Sequence, residues 1–355
     1  MNNILCLGEI LLRMSPPFGL RLTQALPGSL IATFAGAEAN VAVTIAQLGG
    51  NATFLTALPD NPVARSCLAE IRAAGVDTSR VLLRGNGRMG IFYLEHGAGP
   101  RGGQVVYDRD GSVFAETPAA AYPWTEIFRD KTRFHTSGIS PALSASSAAL
   151  TLHALRAARE AGLSTSCDIN HRRKLWNWDA SRSPERLARD THLQNLPFVE
   201  TLIGNPYDLA MLLEKQPAAG PARCGELARQ LAAEHPQLRR VAITLRQTLS
   251  SDENTFGALL YSRETDACVL SPRASGGGLS PHRVTGIVDR VGTGDAFAGA
   301  LLRALGDGNL SAQDALDYAT AAAALAHTVR GDYPYLPHAE VLGFSKGDAT
   351  AHLSR

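Results

Sequence analysis

Short apolar runs alternating with Ala- and Leu-rich segments of helical period constrain this chain more than any other feature. ILCLG (4–8) is followed by AEANVAVTIAQLGG (37–50), ATFLTALP (52–59) and VARSCLAEIRAAG (63–75). The alternation resumes with RFHTSGI (133–139), LSASSAALTLHALRAAREAG (143–162), STSCDIN (164–170), VETLIGN (199–205) and RRVAITL (239–245). Strand–helix–strand units of this kind build a parallel sheet with helices packed on its faces. The expected fold class is therefore α/β, three layers α/β/α around a central, mostly parallel sheet. With 355 residues, 45% of them hydrophobic, the chain has enough apolar side chain to bury a large core.

Two stretches break the pattern. Residues 9–34 are rich in Pro and Gly and show no helical period, and MGIFYLEHGAGPRGGQVVYDRD (89–110) reads as two strands joined by a Gly-rich turn. These are expected to pair as a small sheet outside the main core. SPRASGGGLSP (271–281) has the composition of a flexible surface loop, and GDATAHLSR (347–355) that of a loose tail.

Several function classes are disfavoured by charge and cysteine usage. A net charge of +1 argues against a broad electrostatic surface for nucleic acid or anionic lipid. The five cysteines are odd in number, scattered, and never in a CxxC or Cys/His spacing, which suggests a reducing, cytoplasmic setting. In MNNILCLGEILLRM the apolar run is interrupted by Glu9 and Arg13, too short and too charged for a signal peptide or a membrane span. A small-molecule partner is expected.

The chemistry concentrates in DRVGTGDAFAGALL (289–302). Gly292 and Gly294 permit positive φ and close approach to a ligand, and their N–H groups precede a helix whose N-terminus favours anions. Asp295 then stands at the mouth of a phosphate cradle. A carboxylate there can take the proton of a hydroxyl as its oxygen attacks phosphorus, while the cradle stabilises charge on the transferred group. Read alone, the motif fits an ordinary Asp N-cap after a Gly turn better. The helix that follows carries Phe297, Leu301 and Leu305 at i, i+4 spacing, with Ala298, Gly299 and Ala300 small enough for tight packing.

AGAEANVAVTIAQLGG (35–50) sets Gly36 and Asn40 at the start of a second amphipathic helix. Together, in this order and about 250 residues apart, the two stretches resemble the signature regions of the PfkB (ribokinase-like) family of carbohydrate kinases. The resemblance covers nearly the whole chain. It implies one domain over 1–345 with a β lid from segments near 10–34 and 89–111, and a tail over 346–355. It also implies ATP and Mg2+ as cofactors, Asp295 as catalytic base, Gly292, Thr293 and Gly294 as the anion hole, and Asn40 on a sugar hydroxyl with Gly36.

Four further stretches are similar to the 2-keto-3-deoxygluconate kinase branch of that family: RFHTSGISPAL (133–143), VVYDRDGS (105–112), DINHRRKLW (168–176) and HTVRGDYP (327–334). They imply substrate contacts from Tyr107, Arg109 and Arg172, and nucleotide contacts from Asn170 and His327. An independent physical reason points the same way: a sugar acid carries a carboxylate that a guanidinium fork suits better than any other side chain. His135 and His171 are expected to be structural, and Trp176 and Trp178 to lie in the core or a hinge. Phe92 stands where relatives often carry Tyr.

Three departures from the family pattern are visible. IGNPYDLAML (203–212) resembles an Asn-x-x-Glu motif that organises magnesium and phosphate, with Asp208 in place of the Glu beside Asn205. ITLRQTLSSDENTFGALLY (243–261) lacks a Lys/Gly-rich turn and offers Thr244 and Arg246 for the nucleotide within a longer polar loop. Ala35 replaces a common Gly. The expected activity is ATP-dependent phosphorylation of 2-keto-3-deoxygluconate at its 6-hydroxyl, in a homodimer or higher homo-oligomer assembled through the lid. The alternatives are a fructokinase or other neutral-sugar kinase, a non-catalytic sugar-acid sensor, and a nicotinamide dehydrogenase. The last is disfavoured because ILCLGEILLRM has no G-x-G-x-x-G.

Overall fold

The computed structural model describes residues 3–347; the expected tail from 348 onward lies outside the described residues. The main sheet runs, from one edge to the other, Ala267–Ser271, Glu253–Ser262, Arg240–Thr248, Thr201–Gly204, Ser164–Asp168, Arg133–Ser137, Asn3–Leu7 and Asn51–Leu55. The six strands from Arg240–Thr248 to Asn51–Leu55 are parallel to their neighbours. Glu253–Ser262 turns back antiparallel and pairs with both Ala267–Ser271 and His282–Thr285.

Successive residues of a parallel strand face opposite sides of the sheet, and here both sides are covered. Ile4 and Cys6 point into one buried cluster, with the helices Ala37–Gln47, Thr293–Leu305 and Ala312–Ala326. Leu5 and Leu7 point into the other, with Ala145–Glu160 and Pro221–Glu234. This is the three-layer arrangement the alternation predicts.

The sequence reading of 243–261 as a long polar loop is corrected. Those residues form the antiparallel pair Arg240–Thr248 and Glu253–Ser262, whose register runs from Arg240↔Ser262 to Thr248↔Asn254. Polar residues in TLRQT and ENT obscure the strands because most of these side chains are not buried and so carry no apolar pattern.

A separate four-stranded sheet is ordered Ile31–Ala35, Leu11–Ser15, Gly90–Glu95, Gln104–Asp108. Its last two strands are the antiparallel hairpin expected from the Gly-rich turn. Leu11–Ser15 pairs parallel to Gly90–Glu95 and antiparallel to Ile31–Ala35. One face of this sheet buries Leu11, Ala35, Phe92 and Leu94.

Strand order locates the site before any side chain is considered. From Asn3–Leu7 the chain first places Asn51–Leu55 on one side and later Arg133–Ser137 on the other. Open α/β sheets bind ligands beyond the carboxyl ends of strands flanking such a reversal. The small sheet lies over that end, because Leu11, Phe92 and Tyr107 share one cleft with Asp168 and Gly204 from the strand ends.

Candidate active site

A cleft of about 1150 Å³ opens between the two sheets and reaches the start of the helix Thr293–Leu305. Of the residues singled out in the sequence, Gly36, Asn40, Tyr107, Arg109, Asn170 and Arg172 line it. So do Asn205, Asp208, Thr244 and Arg246, and the whole run Gly292, Thr293, Gly294, Asp295. His327 does not: it is fully buried, with Nδ1 at 2.7 Å from the Ala323 carbonyl and Nε2 at 3.1 Å from Asn254 Nδ2.

Gly292 is the N-cap, at φ 81°, and its side chain position is filled by another segment: a Cβ there would lie 2.6 Å from the Asp332 carbonyl oxygen. Only glycine serves both demands. The N–H groups of Thr293, Gly294 and Asp295 bond no acceptor among the described residues, as expected for the orphan donors of a helix start. A Cβ on Gly294 would meet nothing within 4 Å, so this part of the cradle opens to the cleft.

Asp295 is therefore the third helical residue and not the N-cap, and its carboxylate does not cap the helix. Asn40 Nδ2 donates to Asp295 Oδ2 at 2.6 Å, and Asn170 Nδ2 approaches Oδ1 at 3.5 Å. The sequence explains how Asn40 reaches it. Gly299 packs the Thr293–Leu305 helix against Ala37–Gln47 so closely that a Cβ would sit 2.7 Å from Thr44 Cβ and 2.9 Å from the Val41 carbonyl. Asn40 stands one turn before Thr44 on the facing helix, and Thr44 Oγ1 donates to its carbonyl.

Burial pushes the Asp295 carboxyl up to about 6. The Asn40 amide and the Arg172 charge pull it down, the buried Glu38 carboxylate pushes it up, and Asn170 adds a smaller downward pull. A group so placed is largely ionised at neutral pH yet retains basicity, as a general base requires. Asp168 is raised well above the ordinary carboxylate range by burial and by the charges of Asp295 and Asp208, and Arg172 opposes the shift. Its Oδ1 accepts the Asn170 N–H at 3.1 Å, holding Asn170 at φ 40°. That turn aims the Asn170 side chain at Asp295.

The two arginines expected to grip a carboxylate differ. Arg172 makes no side-chain hydrogen bond or ion pair among the described residues, although its charge acts on Asp168, Asp208 and Asp295. Arg109 is buried and already paired: Nε donates to Glu9 Oε2 at 2.8 Å, and Nη2 bonds the same oxygen. Its guanidinium lies 5.5 Å from the centroid of the Tyr107 ring.

Asn205 and Asp208 form a reciprocal capping box on the helix Pro206–Leu213. Asn205 Oδ1 accepts from the N–H groups of Tyr207 and Asp208, and Asp208 Oδ2 accepts from Asn205 N at 2.9 Å. Burial pushes the Asp208 carboxyl up to about 6 against the pull of that N–H, of Arg172 and of the His171 N–H. No group of three or more His, Cys, Asp or Glu side chains among the described residues could hold a metal ion. Magnesium keeps several waters and is held through one or two carboxylates and substrate phosphates, and Asp208 supplies a carboxylate in the cleft.

The profile described as pfkB family carbohydrate kinase matches residues 1–339. The chain belongs to the pfkB family of carbohydrate kinases. It is thus a phosphotransferase acting on a sugar hydroxyl, and kinases of this family use ATP with Mg2+. It is 36% identical to a 2-dehydro-3-deoxygalactonokinase of Haloferax volcanii, over 94% of this chain and 93% of the relative. A crystal structure of a 2-dehydro-3-deoxygluconokinase from Thermotoga maritima superposes with a TM-score of 0.88 at 32% identity, covering 98% of this chain and all of that one. A rice (Oryza sativa) fructokinase is also similar, at 27% identity over 94% of both chains.

In this pfkB kinase several polar groups near the cleft had no signal in sequence reasoning. Glu9 and Arg13 stood out only as charges interrupting an apolar run. Both prove to be buried and paired, Glu9 with Arg109 and Arg13 with Asp289 and Asp332. For Arg13, a charge at the position alternating with Leu11 on one strand face is the one available hint. Trp176 is fully buried and Trp178 Nε1 donates to the Pro141 carbonyl, in keeping with core positions; His135 is buried, with Nδ1 2.9 Å from Ser166 Oγ.

Proposed function

We propose that this kinase phosphorylates the 6-hydroxyl of 2-keto-3-deoxygluconate, also named 2-dehydro-3-deoxygluconate, with ATP as donor. The observation that carries the reading is Arg172, a guanidinium without a protein partner in a cleft whose other residues include the base candidate Asp295. Arg172 is exposed in the cleft and holds no acceptor among the described residues, so its fork is open to the carboxylate that a sugar acid supplies and a neutral sugar lacks. Relatives named for the two epimeric 2-dehydro-3-deoxy sugar acids support the same substrate class.

In this mechanism Asp295 accepts the hydroxyl proton as the oxygen forms its bond to the γ-phosphorus and the bond to the β,γ-bridging oxygen breaks. The N–H groups of Thr293, Gly294 and Asp295 donate to the transferred group at the helix start. Asn40 and Asn170 hold the carboxylate of Asp295 in line, and Tyr107 and Arg109 close the sugar end of the cleft. Thr244 and Arg246 line the nucleotide end. Asn205 with Asp208 would hold magnesium through water, and the bound ion would supply positive charge to the nucleotide phosphates.

Residues 1–345 act in this reading as one domain with the small sheet as its lid. Exposure of Ile31 (42%) and Val106 (46%) on the two edge strands of that sheet supports assembly of a homo-oligomer through the lid. Five free cysteines, four of them buried, suit a reducing cytoplasm, and no helix among the described residues is long and apolar enough to cross a membrane.

The test is ADP release with ATP and a panel of 2-keto-3-deoxygluconate, its galactonate epimer, fructose and ribose. The proposal expects turnover with the gluconate and little with the neutral sugars. Faster turnover of fructose than of either acid overturns it.

A further inference from the structure

We infer that Arg13 is a positioning residue for the phosphoryl cradle, through which the small sheet fixes the shape of the Gly turn. Arg13 lies on the strand Leu11–Ser15 of the small sheet, next but one to Leu11, which lines the cleft. Its guanidinium crosses to the main domain. Nη2 donates to Asp289 Oδ2 at 2.6 Å and Nη1 to Asp332 Oδ2 at 2.5 Å. The remaining reach is used as well: Nε donates to Ser15 Oγ at 3.2 Å, and Nη2 stands 3.1 Å from His96 Nε2. All three charged residues are at most 5% exposed.

The two carboxylates are the supports of the cradle. Asp289 Oδ1 accepts the N–H groups of Arg290 at 2.8 Å and Val291 at 3.1 Å, which sets the backbone entering Gly292. Asp289 Oδ2 also accepts the Gly331 N–H at 3.2 Å. Asp332 forms the floor, its backbone pressed so closely under Gly292 that no side chain fits between them. Arg13 thus holds the two walls of one turn together by a single planar fork, and it comes from the sheet that covers the substrate.

The charge is required there because two buried carboxylates next to a phosphate site repel each other and the incoming anion. Burial pushes the Asp332 carboxyl up to about 6 even with Arg13 beside it. An uncompensated buried carboxylate protonates or moves, and either response releases an N–H or the floor beneath Gly292. A lysine keeps the charge but offers a point donor where two separated carboxylates need a fork.

The inference rests on the reading that the Gly turn holds the transferred phosphoryl group, so the experiment tests both and separates them. Binding of ADP and of the non-hydrolysable analogue AMP-PNP is measured by calorimetry for the unmodified protein, Arg13→Lys, Arg13→Met and Gly294→Ala. Only the analogue places a third phosphate in the cradle. Arg13→Lys should weaken AMP-PNP by about tenfold while ADP affinity stays within about twofold, the loss of a fork being of that order. In turnover the same variant should lose kcat by a similar factor with little change in KM for the sugar acid. Gly294→Ala projects a methyl group into the cradle and should likewise weaken AMP-PNP alone.

If Gly294→Ala weakens AMP-PNP selectively but Arg13→Lys weakens both nucleotides equally, or neither, the role given to Arg13 is overturned. If Gly294→Ala also leaves both unchanged, the cradle reading itself falls. Arg13→Met strands two carboxylates and can fail to fold. Arg13→Lys, whose melting temperature is recorded alongside, then decides the matter.

Discussion

Replacing Asn40 by Ala should move the acid limb of the pH–rate profile upward. Asp295 must be ionised to accept a proton, so kcat/KM falls as pH drops through its pKa, which lies at about 6 in the unmodified protein. The Asn40 amide donates to the charged form at 2.6 Å, in a place where Asn40 is 2% and Asp295 9% exposed. A hydrogen bond to a buried charged group contributes about 1.5–3 kcal/mol. At 1.36 kcal/mol per pKa unit its loss raises Asp295 by about one to two units. The limb should therefore shift from about 6 to between about 7 and 8.

The other charges facing Asp295 are Arg172, Glu38, Asp168 and Asp332, and none of them is altered by the substitution. Asn170→Ala is the internal comparison, since its amide sits at 3.5 Å and should give a smaller shift. The assay is initial rate of ADP release at saturating ATP and low sugar acid across the pH range. A limb that stays within half a unit of the unmodified protein, with activity otherwise retained, would falsify the assignment of Asn40 as the group that tunes the base.

Two further outcomes follow from the same geometry. Arg172→Ala should raise KM for the sugar acid about tenfold or more, since a bidentate ionic contact is lost, and should leave KM for ATP near its original value. Gly292→Ala should be destabilised by more than about 1 kcal/mol, because a residue held at positive φ also meets the Asp332 backbone. Denaturant melts measure the loss, and it should be accompanied by a fall in kcat.

Much of this architecture is legible in the chain because parallel strands buried on both faces write continuous apolar runs, as in ILCL and TLIG. The Gly turn and Asp295 are legible for a different reason: a positive φ and a close backbone approach admit few residues. Where polarity and burial part company, reading fails. TLRQT and ENT look like loop yet pair as strands, because backbone pairing does not require apolar side chains and most of these side chains are not buried. Arg109, expected as a substrate contact, does line the cleft, but its pairing with Glu9, a hundred residues earlier, is visible only in the folded chain. Arg13, Asp289 and Asp332 are separated by 276 and 319 residues from first to partner, so only the folded chain shows that they meet. Asp208 was weighed as a metal ligand, and its carboxylate also closes the capping box with Asn205.

Catalysis turns on Asp295 as the base, and Asp295→Asn tests that most directly. The amide keeps the shape of the site but cannot accept the hydroxyl proton. Turnover of 2-keto-3-deoxygluconate with ATP should fall by at least about a thousandfold, within the range a general base and its placement supply, while calorimetry shows the sugar acid still bound. Turnover within tenfold of the unmodified protein would contradict the account.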